Sequence, residues 1–184
     1  MTPTLPPIHA SIRVSWSPAE SFRRFTTDIG TWWPVASHSV GGKRATGVRL
    51  DPRVGGEIVE SIAGGREAHW GTITDWEPPS RVAFTWHPGR GTDSGTRVEV
   101  RFVPDGSGTR VELVHSGWEA LGDLANRARK GYPIGWAYVL RLYADRRWST
   151  AVLVIGTLQW LLQPLAARMA AKAGPMVTRP STAP

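Results

Sequence analysis

The sequence predicts an α+β fold in which a curved antiparallel sheet of about seven strands wraps a long C-terminal helix, with a short helical insertion after the first strand. Three observations carry this. Seven short segments read as strands by alternation or β-rich composition. The separators DPRVGG, AGGR, EPPS, HPGRGTDSG and PDGSG are rich in turn residues and too short for parallel crossovers. Apolar residues at helical spacing gather after Trp118.

The first strand is Ile8 to Trp16, with Ile12, Val14 and Trp16 on one face. Ser17-Pro18-Ala19-Glu20 then opens a helix, with serine as N-cap, proline in the first turn and glutamate three residues after the cap. Phe22, Phe25 and Ile29 give that helix its buried face, and Gly30 is expected to end it. Trp32-Trp33-Pro34 leads into a loop to about Thr46. Adjacent tryptophans at a helix end are not expected to share the core, so one of them is expected at a pocket mouth or in solvent.

The remaining strands are Gly47 to Leu50, Glu57 to Ile62, Glu67 to Trp76, Arg81 to Trp86, Thr96 to Val103 and Thr109 to Ser116. In the last two, Val98, Val100, Phe102 and Val111, Leu113, His115 face one way, while Arg97, Glu99, Arg101, Arg110 and Glu112 face the other. One face is wet and the other needs cover. Helical material supplies it: Trp118, Leu121, Leu124 and Ala128 keep helical spacing, and after Gly131 a second run puts Trp136, Leu140 and Tyr143 on one stripe.

The 184 residues suit one domain, 8–147, followed by an apolar helical extension, 148–167, and a disordered tail, 168–184. The extension, WSTAVLVIGTLQWLLQPLAA, lacks charge, but Gln159, Gln163, Gly156 and Pro164 interrupt it. Packing on the body, contact with a second subunit in a homodimer, and contact with a membrane are its three readings. The N-terminus has neither the basic region nor the apolar run of a signal peptide, so a cytoplasmic body is expected.

Composition narrows the chemistry. Without cysteine there is no thiol chemistry or disulfide, and the five histidines, at 9, 38, 69, 87 and 115, never fall at close ligand spacing, so neither metal nor cofactor is expected. The formal charge of +7 does not imply nucleic acid. Residues 1–126 hold 13 basic and 14 acidic side chains, whereas residues 127–184 hold nine basic residues and one acid, Asp145. GGKRATG lacks the Ser or Thr of a phosphate loop, and GRGTDSG joins two strands where a dinucleotide fingerprint needs a strand and a helix.

A titratable ring at the last inward position of a strand makes His115 the first candidate for chemistry. It is either a core histidine with its nitrogens satisfied or a group lining a cavity. Glu57, after Gly55-Gly56 at a strand start, becomes an acid/base partner if it turns inward near His115. Tyr138 and Tyr143 are further proton carriers under that reading. Ten tryptophans stand out in the composition, and Trp32, Trp33 and Trp86 are those hardest to assign to packing alone.

Five motifs in order, SPAESFRRFTTDIGTWWP, DPRVGGE, WGTITDWEPPSRVAFTW, RVELVHSGW and IGWAYVLRLY, resemble the activator of heat-shock protein 90 ATPase homologue-like branch of the START-like (SRPBCC) superfamily. The resemblance spans about residues 8–147 and implies the helix-grip fold. It implies a mostly apolar cavity between sheet and C-terminal helix, used in the superfamily for lipids, sterols, polyketides and other hydrophobic molecules. The positions it places near that cavity are Trp32, Trp33, Trp86, His115 and Trp136, with Gly117 turning the chain after the last strand. The inward residues Val100, Phe102, Leu113 and Leu140 complete the expected ligand-binding set. Binding of a small hydrophobic or amphipathic molecule is the leading expectation. A cyclase or dehydratase acting through His115 and a chaperone-activating interaction module are the alternatives.

Overall fold

The computed structural model describes residues 5–145, all within one compact unit of the chain. The elements are β1 (Ile8–Val14), α1 (Pro18–Phe25), α2 (Ile29–Trp32), β2 (Ala45–Leu50), β3 (Glu57–Ile62), β4 (Arg66–Glu77), β5 (Arg81–Trp86), β6 (Thr96–Asp105), β7 (Gly108–Ser116), α3 (Ala125–Arg129) and α4 (Tyr132–Ala144). The extension expected over 148–167 and the tail over 168–184 lie outside the described residues. Among the described residues no helix is long and apolar enough to cross a membrane.

The seven strands form one antiparallel sheet in the order β1-β7-β6-β5-β4-β3-β2. β2 to β7 therefore follow chain order, as short connections demand, and β1 joins at the β7 side. The result is a curved half-barrel holding α4 on its concave face, the α+β helix-grip architecture that the sequence predicts. Register shifts on both sides of β4 mark bulges, which bend a sheet and reverse side-chain parity. Trp70 and Ile73, an odd number of residues apart, both reach the core in consequence. Between them Gly71 lets β4 cross β5 closely, since a Cβ there would lie 1.8 Å from the Thr85 carbonyl oxygen.

The inward sets are buried as alternation predicts: Val98, Val100, Phe102, Val111, Leu113 and His115 are at most 2% exposed. On the wet face Arg97 reaches Asp75 at 3.0 Å, Arg81 reaches Asp75 at 2.8 Å and Arg110 reaches Glu112 at 2.7 Å. Such pairs, exposed or half-buried at the water-facing side of the sheet, contribute little singly.

Two helical expectations are corrected. The helix after β1 does not run on to Gly30: it starts at the Ser17 cap, whose Oγ accepts from the Glu20 N–H, and stops at Phe25. Thr26 Oγ1 accompanies the stop by donating to the Phe22 carbonyl at 2.7 Å. Gly30 lies inside the short α2, where a Cβ would come within 2.8 Å of the Val48 carbonyl oxygen, so it serves close packing on β2. The helical spacing after Trp118 is likewise broken: a 3-10 run from Trp118 to Leu124 contains Gly122 at φ +52°, ψ −130°. The kink leaves Leu124 57% exposed and buries Ala125 in its stead. Beyond it, α4 contributes Trp136, Val139, Leu140 and Tyr143 to the core.

Candidate ligand-binding site

His115, the penultimate residue of β7, packs against Trp136 and Tyr132 of α4 and has no exposed surface. The Trp136 indole N–H donates to His115 Nδ1 at 3.0 Å, so that nitrogen carries the lone pair. The proton then sits on Nε2, which donates to Thr96 Oγ1 at 2.7 Å, and the Thr96 hydroxyl donates onward to the Trp86 carbonyl at 2.9 Å. A single directed chain thus joins α4, β7, β6 and β5. Burial pushes the imidazole pKa from its ordinary 6.5 down to about 3, because the cation would be stripped of water. The ring is neutral at physiological pH with both nitrogens engaged, which makes it an anchor between helix and sheet.

Around this anchor the tryptophans form a continuous aromatic wall. Ring centroids are 5.2 Å apart for Trp33 and Trp70, 5.6 Å for Trp70 and Trp86, and 5.6 Å for Trp86 and Trp136, all tilted or edge-on. Trp118 lies 4.1 Å from the His115 ring, and Tyr132 meets it edge-on at 4.5 Å. Both Trp32 and Trp33 are buried in the core, against the expectation that one would lie at a pocket mouth or in solvent. Trp33 is extended (φ −64°, ψ 130°) directly after the last helical residue, so the two rings leave the chain in different directions. Each indole N–H finds a carbonyl, that of Arg24 for Trp32 and that of His38 for Trp33, both at 2.7 Å.

A buried carboxylate holds the loop that closes over this wall. Glu60 is fully buried and accepts from the backbone N–H groups of Val40 at 2.8 Å and Gly41 at 2.7 Å, and from the Trp70 indole N–H at 2.9 Å. The same loop stacks His38 on Tyr138 of α4, with centroids 4.9 Å apart, and burial there lowers the His38 pKa.

At the sheet end of the wall lies a pocket of about 40 Å³ lined by Trp86, His87, Pro88, Arg90, Thr96, Leu121 and Tyr132. Trp86, His87 and Thr96 are buried and make its floor, whereas Pro88, Arg90, Leu121 and Tyr132 are partly or fully exposed and make its rim. The Trp86 indole N–H is buried without a hydrogen-bond partner. Burial raises the Tyr132 phenol pKa, opposed by the neighbouring Trp86 N–H and the Arg90 charge. That N–H lies near the phenol without hydrogen-bond geometry.

Of the residues expected to bind ligand, Trp86 alone lines this pocket. His115 stands one hydrogen bond behind it, through Thr96. Trp33, Trp136, Val100, Leu113 and Leu140 belong to the packed core, and Phe102 and Trp32 lie at its far end with Phe22, Phe25 and Tyr143. Glu57 is not brought to His115: β4, β5 and β6 stand between their strands, and its exposed carboxylate faces His69 Nδ1 at 3.3 Å. The Tyr143 hydroxyl is committed to the Ser21 carbonyl at 2.8 Å, and Tyr138 stacks on His38.

Arg90, Thr96, Tyr132 and Glu60 escaped the sequence reading, yet two of them left a signal. Thr96 is a polar residue at the inward parity of Val98 and Val100, and Glu60 is a charge at the inward parity of Ile58. Arg90 comes from the β5–β6 loop and Tyr132 from the first turn of α4, and neither carries such a mark.

A curved sheet gripping one helix, with aromatic packing and a pocket where they meet, defines a START-like domain. Residues 15–141 match the family described as Activator of Hsp90 ATPase homolog 1-like protein, and the chain belongs to that family. Among solved structures it is similar to an anthrahydroquino-gamma-pyrone synthase, Txn09, in its complex with SUM, at 33% identity over 79% of this chain and 99% of that one, TM-score 0.53. It shares its fold with a Mesorhizobium loti protein at 18% identity, covering 76% and 95% of the two chains, TM-score 0.56. The Aha1 dimer of Colwellia psychrerythraea is similar at 20% identity, covering 77% and 95%, TM-score 0.53. No curated protein matches the chain significantly.

Proposed function

We propose that this protein binds a small amphipathic molecule with an aromatic or otherwise flat apolar body, between the β5–β6 connection and the segment that enters α4. The observation that carries the reading is a small void floored by Trp86 and Thr96, which takes the polar end of the molecule, opening at an apolar rim of Pro88, Leu121 and Tyr132 against which the flat body rests. Apolar walls with a few placed polar groups are the ordinary composition of a small-molecule site. Deeper entry requires the rings of the wall, or the loop held by Glu60, to move. Native mass spectrometry of the full chain followed by denaturing extraction tests the reading. A co-purifying apolar compound supports it. An empty protein that also leaves the emission of 1-aminoanthracene unchanged overturns it.

A second reading, a ring-closing enzyme, is favoured by the 33% identity to a pyrone synthase. Under it the donors around the pocket polarise a substrate carbonyl as charge develops on its oxygen. Proton abstraction by His115 does not fit that role, because its lone pair is held by Trp136 and its basicity is suppressed by burial. Turnover retained in a His115→Gln variant, with loss in Tyr132→Phe, is the pattern expected of this enzyme.

A further inference from the structure

The polar groups at this pocket are unequal, and their inequality specifies a ligand group. The Thr96 hydroxyl is used twice, accepting from His115 and donating to the Trp86 carbonyl. His87 Nδ1 is turned to the Arg90 carbonyl at 3.3 Å. Beside the lone pair left on His87 Nε2, what remains is donor capacity: the Trp86 N–H, 94% buried with its residue and unpartnered, the Tyr132 hydroxyl, and the Arg90 guanidinium, whose charge acts on that hydroxyl. No carboxylate lines the pocket. A buried donor without a partner carries a desolvation cost that a bound acceptor removes.

Resting on the ligand-binding reading above, we propose that Trp86, Tyr132 and Arg90 form a donor subsite for an anionic oxygen group, a carboxylate or an enolate. The volume of about 40 Å³ admits a group of that size and not an aromatic ring. The anionic head therefore enters first, with one oxygen on the Trp86 N–H and the other charge-paired with Arg90 at the rim. The apolar body follows against Pro88, Leu121 and the Tyr132 ring. A free small anion presents the same chemistry and is separated by the test.

Calorimetric titration of the full chain with 2-naphthoate, its neutral isostere 2-naphthamide, and acetate decides the matter. The expected result is naphthoate binding at least about tenfold tighter than naphthamide, as a charge-assisted hydrogen bond implies. Arg90→Gln and Tyr132→Phe, at partly exposed positions that disturb the fold little, should each narrow that ratio, and Trp86→Phe should weaken naphthoate most. Equal binding of acid and amide, or a ratio indifferent to Arg90→Gln, overturns the subsite and leaves the aromatic-ligand reading standing. Acetate binding with neither naphthyl compound keeps the donor subsite, identifies a free anion as its occupant and removes the aromatic-ligand reading. Binding of none of the three overturns both.

Discussion

Replacing His115 by glutamine tests the directed hydrogen-bond chain through its dependence on pH. Glutamine retains an acceptor and a donor but is smaller than imidazole and does not titrate. At pH 7 the change removes packing in a fully buried site and weakens one of two hydrogen bonds, a cost of about 2–3 kcal/mol. In the wild type the folded ring resists protonation until about pH 3, while the unfolded ring protonates near 6.5. Between those values the unfolded state binds the extra proton, so wild-type stability falls with falling pH by up to about 1.4 kcal/mol per pH unit from this residue. Above pH 6.5 the ring is neutral in both states and adds no slope. Glutamine lacks the slope, and the carboxylates and other histidines, common to both proteins, cancel in the difference. The gap between wild type and variant should therefore shrink below pH 6.5 and close near about pH 4.5. Equilibrium urea unfolding of both full chains at pH 7, 6, 5 and 4.5 measures it. A gap constant to within about 0.5 kcal/mol across that range would refute the argument that His115 is held neutral by burial.

The loop over the indole wall depends on Glu60, so Glu60→Gln, which sets an amide donor against donors already aimed at both oxygens, should cost about 2–4 kcal/mol. It should also speed hydrogen exchange at the Val40 and Gly41 amides, and unchanged protection there would remove the loop-holding role. Gly71→Ala should destabilise by about 3 kcal/mol, because its methyl group meets the Thr85 carbonyl and backbone on both strands has to part. Gly135→Ala is the contrasting control: it lies within α4 with nothing inside 4 Å of the new Cβ, and should stabilise by about 0.5–1 kcal/mol in the same unfolding assay.

Alternation and turn chemistry are local, and they determined most of the fold. The inward faces of β6 and β7, the sequential antiparallel order and the buried stripe of α4 follow from side-chain period and from connections too short to cross over. Helix ends were less legible, since Gly30 and Gly122 act through a neighbouring strand and through a kink that no single-segment pattern encodes. His115 was marked by parity as an anomaly, but parity says only which way a side chain points. Its neutral state depends on Trp136 and Thr96, 21 and 19 residues away, and on the exclusion of water by the rings of Trp118, Tyr132 and Trp136. Glu57 shows the converse, a candidate partner in sequence that the sheet separates from His115 by three intervening strands. The donor pocket was the least visible feature, because a hairpin loop, a strand end and the first turn of a helix meet there only after the chain has closed. Sequence periodicity determines which residues leave water; which of their polar atoms then lack a partner depends on distances set by long-range packing, and tertiary structure alone decides it.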